Sequence, residues 1–284
     1  MISLTRKKCF ITGAASGIGR ATAIAAAAQG AELVLTDIDA AGLEAVAVQI
    51  RQSGGKVLHS RALDIADYAA VRQYANELHA QFGSLDVLMN IAGIAIWGSV
   101  ETLAHAQWRR CIEVNLMGPI HVMECFLPPM IQAGRGGCLV NVASAAGLFP
   151  LPMHAPYSAS KFGLRGVSEV LRQDLRRHGI HVCLVCPGAV NTGLVSAVQI
   201  AGIDTQHPQA IKLRQDFQRH AVTPEQAARA ILDGIEARRW MVFTSPDIRF
   251  GYWVQRKWAW PFELAMRWLN NRLHAVAQAA RTQN

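Results

Sequence analysis

The sequence predicts an α/β fold: a doubly wound, seven-stranded parallel sheet with helices on both faces, followed by a helical C-terminal extension. Short apolar runs of strand length alternate with longer helical patterns, and a glycine-rich turn at 13–19 joins the first strand to the first helix. The length of 284 residues and the apolar fraction of 51% suit one large domain. We assign residues 1–245 to this domain and 246–284 to the extension.

The first half of the chain supplies four strands and three helices. We expect the strands at 7–12, 31–36, 56–62 and 85–89, and the helices at 17–29, 40–53 and 67–82. Glycines in the turn at 13–19 let the backbone approach a pyrophosphate, and the N–H groups at the following helix start attract it. The turn therefore predicts a dinucleotide site.

Asp37 follows the second strand, about 20 residues beyond the glycine turn, where a carboxylate can accept both ribose hydroxyls of NAD. The same charge repels the 2′-phosphate of NADP. Neither Ser16 nor Ile38 supplies a basic residue for that phosphate, so we expect NAD, with NADP less favoured. The alternative is that Asp37 is only a solubilising charge or a helix cap.

The second half continues the alternation. A helical region is expected at 101–133, then strands at 138–143, 180–186 and 240–244, and helices at 156–178 and 224–238. Thr223 to Gln226 forms a capping box with proline at the first helical position. Asn115 lies in the middle of the helical region and is a poor helix former unless its side chain has a use.

Tyr157 and Lys161 are four residues apart, so both side chains should lie on one helix face near its start at Pro156. A nearby cation favours the phenolate and should bring the tyrosine pKa down from its ordinary value toward neutrality. Ser144 ends a buried strand, and chemistry in open α/β sheets sits at such strand ends. The spacing predicts that a hydroxyl, a phenol and an amine converge on one substrate oxygen.

Six motifs occur together in a characteristic order. They are T-G-A-A-S-G-I-G at 12–19, N-I-A-G at 90–93, Asn115, Ser144, Tyr157-x-x-x-Lys161, and P-G-A-V-N-T at 187–192. With these motifs the chain resembles a short-chain dehydrogenase/reductase over about residues 5–245. The resemblance implies a Rossmann fold and reversible hydride transfer between a nicotinamide and an alcohol or carbonyl carbon. Ile91 departs from the usual N-N-A-G and puts any role of a second asparagine in doubt.

The resemblance also implies roles for individual residues. Tyr157 would move the alcohol proton, Lys161 would lower its pKa and hold the nicotinamide ribose, Ser144 would bind the substrate oxygen, and Asn115 would complete the proton path. The implied cofactor contacts come from Gly13, Ser16, Gly17, Ile18, Gly19, Asp37, Ile38, Asp64, Ile65, Asn90, Ala92, Gly93, Tyr157, Lys161, Pro187, Gly188, Val190 and Thr192. Among these, Asp64 and Ile65 would meet the adenine, and Val190 and Thr192 the carboxamide.

An apolar pocket is expected over the nicotinamide. Its predicted lining is Ile94, Ile96, Trp97, Leu148, Phe149, Leu151, Met153 and Leu194, which favours a bulky lipophilic substrate of sterol, retinoid or fatty type. His154 is the titratable group of this loop, and a solvated histidine is a more common outcome than a substrate contact. Two alternatives stay open: a catalytically silent NAD-binding sensor or scaffold, and an epimerase or dehydratase of the same family.

The composition narrows the function classes. The net charge of +8 comes without any aromatic-plus-basic nucleic-acid module, so we expect no nucleic-acid partner. The ten histidines show no metal-ligand spacing, and no metal is expected. Cys183 and Cys186 lie in one strand with an offset that puts their thiols on opposite faces, so both should be buried structural residues. The six scattered cysteines indicate a reducing, cytoplasmic location.

The extension is basic and rich in tryptophan. Phe262, Met266, Leu269, Leu273 and Val276 form one apolar stripe along its last helix. Such a helix could contact an anionic membrane surface through 248–281, but docking on its own domain or on a second subunit is the favoured expectation. The family resemblance implies a homodimer or homotetramer built through the helix at 156–178 and its predecessor.

Overall fold

The computed structural model describes residues 2–193, 199–204, 206–219 and 221–280. It confirms the seven-stranded parallel sheet, in the order β3-β2-β1-β4-β6-β7-β9. The strands are β1 (Lys8–Thr12), β2 (Glu32–Asp37), β3 (Lys56–Ala62), β4 (Val87–Asn90), β6 (Gly137–Val142), β7 (Ile180–Cys186) and β9 (Met241–Phe243). Two further short strands, β5 (Ile96–Trp97) and β8 (Gln199–Ile200), pair with each other and were not predicted.

Helices connect the strands and cover both faces of the sheet. They are α1 (Gly17–Ala28), α2 (Ala40–Gln52), α3 (Tyr68–Phe82), α4 (His105–Ile112), α5 (Gly118–Ala133), α6 (Ala155–Asp174), α7 (Pro208–Arg219), α8 (Pro224–Glu236), α9 (Pro246–Lys257) and α10 (Ala259–Ala279). One apolar core joins α1, α2 and α8 to the sheet through residues such as Ile50 and Ile231. The core on the opposite face joins α3, α5 and α6 through Tyr74, Phe126 and Leu164.

Helix starts follow the sequence closely. Asp67 caps α3 by accepting a hydrogen bond from the Ala70 N–H at 3.0 Å, as the sequence indicates. The capping box at the start of α8 is also confirmed, with Thr223 and Gln226 bonded reciprocally. The predicted helical region at 101–133 is broken by a π-helical turn at Glu113–Met117, and Asn115 lies inside this turn.

The topology reverses between β1 and β4. From β1 the chain moves outward to β2 and β3, then returns to place β4 on the other side of β1. Helices on opposite faces therefore diverge at the carboxyl ends of β1 and β4 and leave a crevice there. This crevice is where the predicted site residues are brought together.

The C-terminal extension packs against its own domain. The apolar stripe of α10 is half-buried, and its Phe262 ring lies 5.5 Å from the Phe149 ring. From α9, the Tyr252 hydroxyl accepts a hydrogen bond from Arg165 at 3.2 Å, and Ile248 covers Gly188 closely enough to leave no room for a β-carbon. No helix formed by the described residues combines the length and apolar character that crossing a bilayer requires.

Candidate active site

A cavity of about 1070 Å³ opens at the carboxyl ends of the central strands. Most of the predicted site residues line it, from the glycine turn after β1 to the segment after β7. Its lining includes Gly13, Ser16, Gly17, Ile18, Gly19, Asp37, Ile38, Asp64, Ile65, Ala92, Gly93, Ser144, Tyr157, Lys161, Pro187, Gly188, Val190 and Thr192. Asn90 and Asn115 are the predicted site residues that lie behind the wall instead.

The glycine turn is shaped by two close backbone approaches. Gly13 has φ +72°, and a β-carbon there would lie 2.8 Å from the Cα of Ala92. A β-carbon on Gly19 would overlap the carbonyl oxygen of Gly13. Only glycine fits these two positions, so the turn leaves its N–H groups and the N-terminus of α1 open toward the cavity.

Asp37 is fixed at the end of β2 by two backbone donors. Its Oδ2 accepts a hydrogen bond from the Ala15 N–H at 2.9 Å, and its Oδ1 accepts one from the Asp39 N–H at 3.1 Å. Each carboxylate oxygen keeps a further lone pair for a ligand. The carboxylate is therefore pre-oriented beside the glycine turn, and the neighbouring Ile38 side chain is exposed.

The sequence analysis missed two residues that shape the cavity, Thr12 from behind its wall and Arg110 on the wall itself. Thr12, buried at the end of β1, accepts hydrogen bonds from the N–H groups of Ile91 and Ala92 at 3.0 and 3.1 Å, which holds the loop after β4. Arg110 of α4 lies on the cavity wall and donates to Asp64 at 3.1 Å. The position of Thr12 at the end of a strand is a sequence signal that could have identified it. Arg110 is 46 residues from its partner Asp64, so no local sequence pattern indicates this contact.

Asn90, a predicted cofactor residue, does not line the cavity, and its contact with the cofactor stays a prediction. Asn90 is buried in register with Asn141 of β6, and its amide donates to the Asn141 Oδ1 at 2.9 Å. Asn141 in turn donates to Ser168 of α6 at 2.9 Å. The asparagine side chain thus points into the sheet–helix interface and ties β4, β6 and α6 together, away from the cavity.

Asn115 clamps the loop after β4 from behind. Its Oδ1 accepts the Ile94 N–H at 2.8 Å, and its amide donates to the Ile94 carbonyl at 2.9 Å and to Ser160 at 3.2 Å. The π-helical turn lets this fully buried side chain project toward the loop. Asn115 therefore positions Gly93 and Ile94, both of which line the cavity.

Ser144, Tyr157 and Lys161 come together on one wall. The phenol is half-buried and hydrogen-bonds to Ser144, whose hydroxyl also accepts the Ala146 N–H at 3.1 Å. The Lys161 Nζ donates to the Val142 carbonyl at 2.9 Å and lies 5.8 Å from the centre of the Tyr157 ring. The predicted convergence of hydroxyl, phenol and amine is present.

The pKa prediction for this group is wrong for the protein by itself. Burial raises the pKa of Tyr157 to about 12, although the Ser144 hydrogen bond acts in the lowering direction. Burial also lowers the pKa of Lys161 to about 8, so the amine stays largely protonated at neutral pH. Desolvation of the phenolate has the largest effect on the Tyr157 pKa, and the spacing of the residues alone could not reveal it.

The predicted apolar lining is confirmed in part. Ile94, Trp97, Phe149 and Leu151 line the cavity. Ile96, Leu148 and Met153 do not: Ile96 alternates with Trp97 along β5 and is buried, and Leu148 packs in the core beneath the loop. Leu194 lies outside the described residues.

The C-terminal extension supplies part of the cavity wall. Asp247 and Ile248 contribute from α9, and Trp268, Leu269 and Arg272 contribute from α10. The sequence left open whether this segment docks on its own domain or elsewhere. In the structure it closes one side of the cavity, so the shape of the site depends on the tail.

Cys183 and Cys186 are buried free thiols in separate apolar clusters, which confirms their placement on opposite faces of β7. Burial raises the pKa of each thiol to about 12. Within the described part of the chain, no three His, Cys, Asp or Glu side chains gather in a way that could hold a metal ion.

A sequence model of the short chain dehydrogenases matches residues 7–201. This chain is a short-chain dehydrogenase. Among curated proteins, a putative oxidoreductase, SadH, from Mycobacterium tuberculosis is 36% identical over 237 residues, covering 83% of this chain and 84% of the relative. A D-threitol dehydrogenase from Mycolicibacterium smegmatis is 40% identical over 192 residues, covering 67% and 73%.

Solved structures give the same result. A short-chain dehydrogenase/reductase from Burkholderia phymatum, in complex with NAD, superposes with a TM-score of 0.82 at 29% identity, covering 90% of this chain and 95% of the other. Another similar solved chain is a complex with NADP. This short-chain dehydrogenase therefore has the Rossmann-type fold of an oxidoreductase that uses a nicotinamide dinucleotide.

Proposed function

We propose that this short-chain dehydrogenase transfers a hydride between NAD(H) and the alcohol or carbonyl group of a bulky lipophilic substrate. The observation that carries the proposal is the joint placement of Ser144, Tyr157 and Lys161 on one wall of a cavity that the glycine turn and Asp37 also line. A proton-transfer group and a dinucleotide cradle thus share one enclosed space. The oxidised nicotinamide, when bound, accepts the hydride from the carbinol carbon at its C4.

The residues present fit a dinucleotide. Because Gly13 and Ala92 pack closely and neither carries a large side chain, a pyrophosphate could reach the start of α1. Two backbone N–H groups orient Asp37, whose carboxylate would accept the ribose hydroxyls. Ile65 and the Asp64–Arg110 pair would flank the adenine. Thr192 and the Val190 backbone would hold the carboxamide, as the family motif implies.

Tyr157 would carry the proton. With a pKa of about 12 its phenol is protonated at neutral pH, which suits donation of a proton to a substrate carbonyl oxygen during reduction. In the oxidation direction Tyr157 must take up the alcohol proton, and this requires added positive charge near the phenolate. The Lys161 ammonium, with its Nζ 5.8 Å from the centre of the Tyr157 ring, and the positive charge of an oxidised nicotinamide would supply it.

Ser144 and Asn115 would complete the arrangement. The Ser144 hydroxyl already bonds the phenol and can donate to the same substrate oxygen as the tyrosine. Asn115 holds the Ile94 backbone and would lie on the proton path from Lys161 toward solvent. Replacing Tyr157 with phenylalanine tests the assignment, since the ring stays and only the proton carrier is lost.

NAD is proposed over NADP. Asp37 places a negative charge where the 2′-phosphate of NADP would lie, and Ile38 beside it offers no compensating cation. The measurement is the ratio of kcat/KM for the two cofactors with one substrate. A preference for NADP would contradict the role assigned to Asp37.

The substrate proposal depends on the cavity lining. Ile94, Trp97, Phe149 and Leu151, with Ile248 and Leu269 from the extension, surround much of the space beside Tyr157 with apolar side chains. We test it with NAD and a panel of secondary alcohols of increasing apolar size, following NADH formation. Rates that rise with size support a sterol, retinoid or fatty type of substrate, whereas activity confined to small polyols contradicts it.

The similarity to a D-threitol dehydrogenase favours a small polyol as the second candidate substrate. The same panel decides between the two. A catalytically silent NAD-binding sensor is the remaining alternative from a different functional class, and NADH binding without turnover of any alcohol or ketone would identify it. An epimerase or dehydratase would convert its substrate without net formation of NADH.

We propose a homodimer or homotetramer formed through α6. Phe162, Gly166 and Val170 are four residues apart along one exposed face of this helix, and Val170 is 61% exposed. A β-carbon on Gly166 would meet nothing within 4 Å, so a second helix could approach closely there. Light scattering should report a dimer or tetramer for the parent chain and a lower mass for Val170→Glu. A monomeric parent chain would contradict the proposal.

We also propose that the outer face of the extension contacts an anionic membrane surface. Trp258 and Trp260 are exposed on this face, Trp260 to 72%, and six Lys or Arg stand against one Glu from residue 248 onward. Flotation with anionic liposomes should fall when both tryptophans are replaced by serine. The matched control is Val100→Ser, an exposed apolar residue on another surface. Equal flotation of all three proteins would contradict membrane contact.

A further inference from the structure

His154 lies beside the catalytic wall without belonging to the group that moves the proton. Its ring is 4.3 Å from the Trp97 ring, centre to centre, and 6.4 Å from the Tyr157 ring. All three rings line the cavity. The sequence suggested a solvated loop histidine, whereas the structure holds a half-buried ring against the site.

The tautomer of His154 follows from its partner. Its Nδ1 lies 2.6 Å from the Pro152 carbonyl oxygen, and a carbonyl can only accept a hydrogen bond, so Nδ1 carries the hydrogen. Burial lowers the pKa of His154 to about 4, which leaves the imidazole neutral at neutral pH. The Nε2 atom of the ring therefore presents a lone pair and accepts hydrogen bonds.

The backbone fixes this ring in place. Met153 adopts φ +63°, an uncommon conformation for a residue with a side chain, and its carbonyl accepts the Gly98 N–H at 2.8 Å. Because the Nδ1 edge of His154 is turned to Pro152, the Nε2 edge is the polar edge left for the cavity. Among the described residues, none hydrogen-bonds to Nε2.

We infer that the His154 Nε2 accepts a hydrogen bond from a second hydroxyl of the substrate, on the carbon next to the one that reacts at Tyr157. The substrate class is then a lipophilic vicinal diol, with the corresponding α-hydroxy ketone as its partner in the reverse direction. This inference rests on the proposed function, because Tyr157 marks where the reacting oxygen binds. The 6.4 Å between the two rings leaves room for adjacent oxygens that each make a hydrogen bond of about 2.8 Å.

The test compares two ligands of nearly equal shape. Phenylethanediol offers a donor on the second carbon, and its primary methyl ether places an oxygen there that cannot donate. We measure kcat/KM for both with NAD, and separately their dissociation constants by calorimetry on the NADH-loaded protein. The parent protein should favour the diol by roughly tenfold in both measurements.

Two variants of His154 separate hydrogen bonding from packing. His154→Phe keeps a ring against Trp97 but has no acceptor, so the diol-to-ether ratio should fall to about one. His154→Gln keeps an acceptor and should recover part of the ratio. The matched control is His181→Phe, because the His181 ring lies outside the cavity with its Nε2 at 3.2 Å from the Arg239 carbonyl. This control should leave the ratio unchanged.

The possible results separate the role of His154 from the proposed dehydrogenase activity. The role of His154 is overturned if the parent protein binds and turns over diol and ether equally. It is also overturned if the diol-to-ether ratio is unchanged in His154→Phe. If the role of His154 were purely structural, its replacement would lower kcat/KM and affinity for diol and ether by the same factor. The diol-to-ether ratio would then stay unchanged. A diol preference in binding without NADH formation from either ligand would instead support the subsite and contradict the proposed dehydrogenase activity.

Discussion

Replacement of Asn115 by alanine is the change whose size follows most directly from the structure. The side chain is fully buried and makes two hydrogen bonds to one residue, the N–H and the carbonyl of Ile94, at 2.8 and 2.9 Å. Both bonds cross from the π-helical turn to the loop after β4. In Asn115→Ala the Ile94 backbone therefore loses both partners at once.

The expected loss of stability is a few kilocalories. A buried polar group left without a partner costs about 1–3 kcal/mol, so the two Ile94 groups together cost about 2–6 kcal/mol. Ile94 is half-buried, and water entering beside it relieves part of this cost. We therefore expect the free energy of unfolding to fall by about 2–4 kcal/mol.

The same change should weaken cofactor binding. Fixing the backbone of one residue costs about 1–2 kcal/mol. If Ile94 must be ordered again on binding, NADH affinity drops by roughly tenfold. Urea unfolding measures the first effect, and NADH fluorescence titration measures the second.

Asn141→Ala is the matched control. Asn141 is also fully buried and bonded to Asn90 and Ser168, but it does not line the cavity. Asn141→Ala should lower the free energy of unfolding by a comparable amount and leave NADH affinity unchanged. Parent-like stability of Asn115→Ala, or equal weakening of NADH binding by both variants, would refute the reasoning.

Three further predictions follow from single residues. Asp37→Asn should weaken NADH binding and reduce the preference for NADH over NADPH, measured as the ratio of the two dissociation constants. An unchanged ratio would contradict the role assigned to Asp37. His154 has a folded pKa of about 4 against an ordinary 6.5, so its stabilising contribution is present above pH 6.5 and lost as the pH falls toward 4. Urea unfolding at pH 7 and pH 5 should show about 2 kcal/mol more loss for the parent than for His154→Phe, and equal losses would contradict this. Gly13→Ala should destabilise far more than Gly134→Ala in thermal unfolding: both have positive φ, but only Gly13 faces backbone, the Cα of Ala92, at 2.8 Å.

The sequence predicts the fold well because its signals are local. Most strands of the main sheet are short apolar runs, and Asp67 and Thr223 cap helices through residues three positions away. Tyr157 and Lys161 are likewise joined by helix geometry, so their convergence could be read from spacing. Local rules were therefore enough to predict that Tyr157 and Lys161 lie together.

The remaining parts depend on contacts distant in sequence. Asn90 matches a cofactor motif, but its side chain bonds to Asn141, which lies 51 residues away on the neighbouring strand β6. Arg110 and the wall from α10, including Trp268, reach the cavity only through tertiary packing. Burial is the main cause of the raised pKa of Tyr157, so a rule based on the neighbouring cation alone gave the wrong direction.

We propose that the phenolic oxygen of Tyr157 moves the substrate proton, and Tyr157→Phe removes this oxygen while keeping the ring. We measure alcohol oxidation and NADH binding side by side for the parent protein and this variant. We expect that NADH still binds while kcat falls by roughly a thousandfold. Near-parental turnover by a protein without that oxygen would contradict it.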